Sequence, residues 1–225
     1  DFCDYLLWAL PIAIICARIY YVIFQWSYYR VHPEEIIAIW DGGIAIYGAI
    51  LGGFVVMVVF CRHRLINVWT MLDVVAPAVI LAQGIGRWGN FMNQEAFGKI
   101  TTRAGLQAQH LPTWIIEQMK IEGAYRVPTF LYESLWDISG FIMLVLLRHR
   151  PHLFKQGEVF LAYIGWYAAG RFFIEGMRTD SLMLGPIRIS QLLSAILFVG
   201  AIITAVWRRY HDGRRLNWYI NNQKG

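Results

Sequence analysis

Three arginines in this 225-residue chain stand within or beside long apolar runs: Arg18, Arg87 and Arg171. A guanidinium keeps its charge, meets phosphate oxygens through a planar fork and is less strongly hydrated than an ammonium. In a low-dielectric setting its natural ligand is therefore an anion bearing phosphate. The neighbours of two of these arginines are polar at helical spacing. Arg87 lies in Gly84-Ile-Gly-Arg87-Trp-Gly-Asn90-Phe-Met-Asn93-Gln-Glu95-Ala-Phe-Gly98, where Arg87 and Asn90, three apart, share a helix face. Arg171 lies in Tyr167-Ala-Ala-Gly-Arg171-Phe-Phe-Ile-Glu175-Gly-Met-Arg178-Thr-Asp180, where Arg171 and Glu175 share a face four apart. Thr129, Tyr132 and Glu133 open another apolar run, with Asp137 one turn further in.

Other familiar chemistries are missing from the sequence. It holds no Gly-x-Ser-x-Gly elbow, His-Glu-x-x-His zinc site, Walker loop or dinucleotide fingerprint. The six histidines (32, 63, 110, 149, 152 and 211) lie in or beside loops, so no histidine metal cluster is expected. The cysteines at 3, 16 and 61 do not pair out, and Cys16 and Cys61 read as small hydrophobes.

The elements that must position the arginines are set by composition. Apolar residues make up 57% of the chain and charged residues 16%, against about 25% charged in soluble domains. That excludes an ordinary soluble fold, a disordered chain and a disulfide scaffold. Six apolar runs are expected to span a membrane: Tyr5–Phe24, Ile44–Phe60, Val68–Phe91, Phe130–Leu147, Glu158–Glu175 and Ile189–Trp207. At 1.5 Å per residue the shortest reaches roughly 26 Å, enough for a slightly thin bilayer. Continuous runs without alternation indicate helices rather than barrel strands. The expected class is all-α, a polytopic helix bundle forming one membrane-embedded domain over residues 1–225.

Orientation follows from the basic residues. Arg62, Arg64, Arg148, Arg150, Lys155, Arg208, Arg209, Arg214, Arg215 and Lys224 all fall on one side, opposed by little beyond Asp212. The positive-inside rule makes that side cytoplasmic, with the carboxyl terminus there. The net charge of +5 is then a topology signal, and a nucleic-acid partner is not expected. The loops 25–43, 92–128 and 176–188 face outward. Loop 92–128, about forty residues, is too long for a simple connector. Its stretch 111–119 places Leu111, Trp114, Ile115 and Met119 on one helical face, with Pro112 suited to a first turn. This is a short amphipathic helix, either on the membrane surface or packed on the bundle.

Charged groups inside a bilayer are costly, and here nearly all lie toward the outer end of the spans, with only Asp73 near the cytoplasmic end. Isolated structural pairs would not collect at one depth. A polar cavity open to the outer leaflet, holding a phospholipid headgroup, accounts for them.

The segment Gly86–Gly98 resembles the signature Gly-Arg-x-Gly-Asn-Phe-x-Asn-x-Glu-x-x-Gly of bacterial prolipoprotein diacylglyceryl transferases, and it matches at every position. Ala17–Val22, the glycine-rich stretch Gly42–Gly53, Pro128–Ser134 and Tyr167–Asp180 agree as well. The resemblance implies a seven-span bundle, with the family's first span absent from this numbering. It implies transfer of the diacylglyceryl group of phosphatidylglycerol to the lipobox cysteine of a prolipoprotein at the outer leaflet of the cytoplasmic membrane, releasing glycerol 1-phosphate. Membrane lipids and the lipobox signal peptide are the expected partners, and no metal or organic cofactor is expected.

The nucleophile would be the substrate's thiolate, so the enzyme needs no reactive cysteine. Arg87 and Arg171 would stabilise charge growing on the leaving phosphate, where one preorganised donor is worth about 3–4 kcal/mol. Asn90, Asn93 and Glu95 would bind glycerol hydroxyls or hold the arginines, and Glu175 would orient Arg171. The resemblance adds Gly98, Arg18, Glu133, Tyr167, Glu175 and Arg178 to the substrate-binding set. Many family members have His-Gly-Gly where this chain has Tyr47-Gly-Ala. A phenol of reference pKa about 10 is a poor base at neutral pH. Either nearby arginines favour a Tyr47 phenolate, or Glu95 or another group takes the proton, or the thiol ionises in the arginines' field. Positioning is the expected role of Tyr47. Rival readings are a phospholipid flippase or anion carrier and a non-catalytic lipid-binding scaffold. The first lacks repeat symmetry, and the second would not keep the whole Arg-Asn-Asn-Glu signature. A lateral gate is expected beside Gly48–Gly53.

Overall fold

The computed structural model describes residues 2–179, 183–184, 187–212 and 217–219. Asp180, Arg214, Arg215 and Lys224, used above for motif and charge, and the side chain of Asp212, lie outside the described residues. The chain separates into two compact units, Asp1–Met71 and Leu72–Gly225.

In the first unit, α1 (Phe2–Phe24) and α3 (Ile46–His63) form an antiparallel pair. Their connection carries α2 (Trp26–Tyr29) and two 3-10 turns, Pro33–Ile37 and Ile39–Asp41. The pairing runs from Arg64–Asp4 at one end to the Ala45 amide bonded to the Ala17 carbonyl at the other. Gly48 lies against the backbone of Cys16 and Ala17, so any side chain there would drive the helices apart.

In the second unit, which begins inside α4 (Val68–Met92), the 92–128 segment folds on its own pattern. It contains β1 (Ile100–Thr101), α5 (Arg103–Gln107), α6 (Thr113–Gln118), β2 (Lys120–Ile121) and β3 (Ala124–Arg126). The strands make an antiparallel sheet in the order β1-β3-β2, pairing Ile100 with Arg126 and Lys120 with Tyr125. The Thr102 hydroxyl caps α5 by accepting from the Gly105 amide. The expected amphipathic helix is α6, and it packs on the bundle rather than lying on a surface. Ile115, Ile116 and Met119 are buried with Phe91 and Phe130, while Trp114 stays more than half exposed and stacks on Trp88. The inward face is thus Ile115, Ile116 and Met119.

The remaining helices are α7 (Thr129–Arg148), α8 (Glu158–Glu175) and α9 (Ile189–Asp212), with a short hairpin of β4 (Met183–Leu184) and β5 (Ile187–Arg188) leading into α9. Trp136 on α7 and Trp166 on α8 stack at 4.5 Å, and each indole N–H donates to the other's carbonyl. Gly140 and Gly170 leave the room that these two rings fill. A second core joins Ile80, Leu144 and Val159.

Among the described residues five helices are long and apolar enough to cross a membrane: α1, α3, α4, α7 and α9. The expected sixth, α8, forms over the anticipated residues but is less apolar, because Glu158, Arg171 and Glu175 fall within its 18 residues. Side chains such as Leu7, Ile23, Val59, Ile203 and Val206 are exposed along these helices, a surface suited to lipid. The all-α polytopic class is borne out, and among the described residues the strands are short pieces of connecting segments.

Candidate active site

Arg87 leaves α4, Glu133 leaves α7 and Arg171 leaves α8, and the three meet. Arg87 Nε lies 2.7 Å from Glu133 Oε2, and Arg171 Nη1 lies 2.7 Å from Glu133 Oε1. Arg171 Nη2 is 2.7 Å from Glu175 Oε2, the i,i+4 pair anticipated from spacing. Glu133 and Glu175 are buried, at 6% and 1% exposure, so their charges are solvated mainly by these guanidiniums. Arg188 Nη1 donates to the Glu175 carbonyl at 2.6 Å, tying the start of α9 to the end of α8.

The three side chains line a narrow cleft with Asp137, Tyr167 and Trp136. Arg87 engages Glu133 through Nε, and among the described residues no partner is assigned to its two terminal nitrogens. That edge of the guanidinium is the one that fits a phosphate bidentately. Arg171 is held on both terminal nitrogens and fixes a positive charge beside it.

Other residues of the signature lie at the same end of this unit. Asn90 is half-buried on α4, while Asn93 and Glu95 are exposed just beyond it. Asn93 donates to Glu95 Oε1 at 3.3 Å, and the Glu95 amide donates to the Asn90 carbonyl. Gln94 and Ala96 take positive φ, so the chain turns sharply here and runs back toward α7. Gly98 is buried, donates to the Val127 carbonyl and bridges Arg178 in antiparallel fashion. The signature and the end of α8 are thereby joined through backbone.

The first unit holds Arg18 and Tyr47. Arg18 is buried and donates to the carbonyls of Glu35, Ile36, Gly42 and Gly43 at 2.6–2.8 Å. Four of its five N–H groups are occupied, so this arginine organises the 25–43 connection and has little left for a phosphate. Tyr47, in the first turn of α3, is 60% exposed with its ring 6.3 Å from that of Tyr20. The stretch beside Gly48–Gly53 borders an apolar groove lined by Ile12, Cys16, Ile19, Leu51 and Val55.

At the opposite end of the second unit, Asp73 is fully buried and accepts from the amides of Gly157 at 2.6 Å and Phe160 at 2.9 Å. It serves as the missing N-cap of α8. Glu158 is held there by Arg209, and Arg208 donates to the Gln156 carbonyl.

Reasoning from sequence overlooked Glu133 as the bridge between the two arginines. It also left Asp137 outside the site, although the i,i+4 spacing of Glu133 and Asp137 on α7 puts both on one face.

A sequence model of the family described as prolipoprotein diacylglyceryl transferase matches residues 1–207. A phosphatidylglycerol–prolipoprotein diacylglyceryl transferase of Limosilactobacillus reuteri is 72% identical over 221 residues, covering 98% of this chain and 79% of the relative. Relatives with the same description from Pediococcus pentosaceus and Enterococcus faecalis are 65% and 58% identical, covering 98% and 100% of this chain and 80% of each relative. The chain belongs to the prolipoprotein diacylglyceryl transferase family.

Proposed function

We propose that this chain transfers the diacylglyceryl group of phosphatidylglycerol to the lipobox cysteine of a prolipoprotein, releasing glycerol 1-phosphate. It would act in the bacterial cytoplasmic membrane, as the first step of lipoprotein maturation. The observation that carries this reading, beside the family, is the convergence of Arg87 and Arg171 on the buried carboxylate of Glu133.

The chemistry follows from that arrangement. Sulfur attacks the glyceryl carbon, the carbon–oxygen bond breaks, and the phosphate gains a negative charge. Arg87 presents its terminal nitrogens to the phosphate oxygens, and Arg171 adds a charge fixed by Glu133 and Glu175. Because these groups are already oriented, little reorganisation opposes the growing charge. Asn90, Asn93 and Glu95 accept or donate hydrogen bonds to the glycerol hydroxyls, Tyr167 walls the cleft, and Gly98 and Arg178 hold its rim. Tyr47 has a positioning role, and Arg18 holds the 25–43 connection of the first unit in shape. The apolar groove between α8 and α9, lined by Phe172, Phe173 and Phe198, suits an acyl tail beside Arg171.

The site would open to the outer leaflet, with the carboxyl terminus cytoplasmic, α8 crossing as a sixth span and residues 1–225 working as one membrane-embedded domain. A flippase or anion carrier is not favoured. Asp73, the polar group such a path would use toward the other side, has both oxygens bound at the head of α8.

The decisive assay supplies purified protein in phosphatidylglycerol vesicles with a lipobox peptide. A cysteine-dependent mass gain of one diacylglyceryl group is expected, and none with a Cys→Ser peptide. No gain, under conditions where another family member works, refutes the function.

A further inference from the structure

Asp137 is the one carboxylate of the cleft that the scheme above leaves idle. It is buried, at 3% exposure, and lines the cleft between Arg87 and Arg171. Glu133 has both oxygens committed to guanidiniums, and Glu175 is committed to Arg171. Among the described residues no hydrogen-bond donor is assigned to Asp137. The charges that face it are Arg87 from α4, Glu133 from its own helix and Arg171 from α8, with the phenols of Tyr163 and Tyr167 also on α8. A buried carboxylate without a donor is costly in a structural role, and its lone pairs are open to a ligand.

Its depth fits one task. Asp137 follows Glu133 by one helical turn, about 6 Å along the axis. Glu133 sets the level of the two arginines and hence of the phosphate. In-line displacement puts the attacking sulfur on the face of the glyceryl carbon opposite the phosphate, about 3–3.5 Å from that carbon before reaction. With the headgroup toward the Thr129 end of α7, that face points along the helix toward Asp137.

Resting on the proposed transfer, we infer that Asp137 is the proton acceptor for the lipobox thiol. The sulfur–hydrogen bond breaks with its proton passing to the Asp137 carboxylate, and the sulfur–carbon bond forms. The carbon–oxygen bond breaks with its electron pair leaving on the phosphate monoester. Asp137 then returns the proton to solvent as products leave. Tyr47 is not required for this step.

The test compares two peptides, one with the lipobox cysteine and one with selenocysteine, whose selenol is ionised at neutral pH and needs no base. Wild type is expected to modify both. Asp137→Asn is expected to lose about 10²- to 10⁴-fold on the thiol peptide, the usual worth of a general base. It should keep the wild-type rate on the selenol peptide and the wild-type KM for phosphatidylglycerol. Equal loss on both peptides assigns Asp137 a structural role and overturns the inference, as does an unchanged thiol rate. Should Asp137→Asn fail to accumulate, Asp137→Glu gives the same comparison, since a displaced carboxylate slows the thiol peptide alone. If wild type modifies neither peptide, the transfer reading itself has failed.

Discussion

Glu133 has two oxygens and two guanidiniums, one on each, delivered by helices far apart in sequence. Neutralising it should therefore be worse than removing either arginine. In Glu133→Gln the amide offers one acceptor, and its NH2 group faces a buried guanidinium. Breaking a buried pair from one side costs about 3–5 kcal/mol, so loss of transfer and an earlier thermal transition in detergent are both expected. Arg87→Lys keeps the charge and loses the fork. It should fold normally and lose about 10²- to 10³-fold in kcat, which the vesicle assay reads directly. Tyr47→Phe is expected to turn over at a near-normal rate, and a large loss there would return the phenol to the proton-transfer step. The residue types were legible in the sequence, and so was the Arg171–Glu175 pair, because i,i+4 neighbours are fixed by helix geometry alone. Arg18 shows where that ends. Its partners are backbone carbonyls of residues 35, 36, 42 and 43, and a carbonyl has no residue type to announce it.

The helices themselves were well marked. The run Val68–Phe91 became α4 at Val68–Met92 and the run Glu158–Glu175 became α8 unchanged, since an apolar run ends where the chain can again meet polar surroundings. The strands of the 92–128 segment were not marked, because two or three residues carry no periodicity. α8 is also the element whose start depends on another. Its N-cap Gly157 has no side chain to bond the first amides, and the carboxylate of Asp73 on α4 does so instead. Asp73→Asn keeps the shape and removes the charge that favours a helix N-terminus. A loss of about 1–2 kcal/mol is expected, seen as a lower thermal midpoint in detergent. Activity per folded molecule should be unchanged, because Asp73 lies at the end of α8 away from Arg171. A specific loss of turnover in the folded fraction would instead tie Asp73 to a polar path through the bundle.

At the scale of the molecule the charges divide by end. In the second unit Leu153, Gln156, Glu158, Arg208 and Arg209 are joined by hydrogen bonds at one end of the helices, and Arg87, Glu133, Arg171 and Glu175 gather at the other. Arg209 in the first group and Arg150 beside it are exposed basic residues, and the proposed orientation, argued from the positive-inside rule, would put that end in the cytoplasm. In that orientation the arginines of the site would lie where a lipid of the outer leaflet presents its phosphate. Single cysteines test this in a background where Cys3, the exposed native cysteine, is replaced. Asn93→Cys and Lys120→Cys, both exposed positions of the 92–128 segment, should react with a membrane-impermeant maleimide added to intact cells. Arg150→Cys, exposed beyond the end of α7, should react only after the membrane is opened. The reverse pattern would put the cleft in the inner leaflet, away from a substrate thiol already carried across the membrane, and no arrangement of side chains within the cleft would then restore the transfer proposed for it.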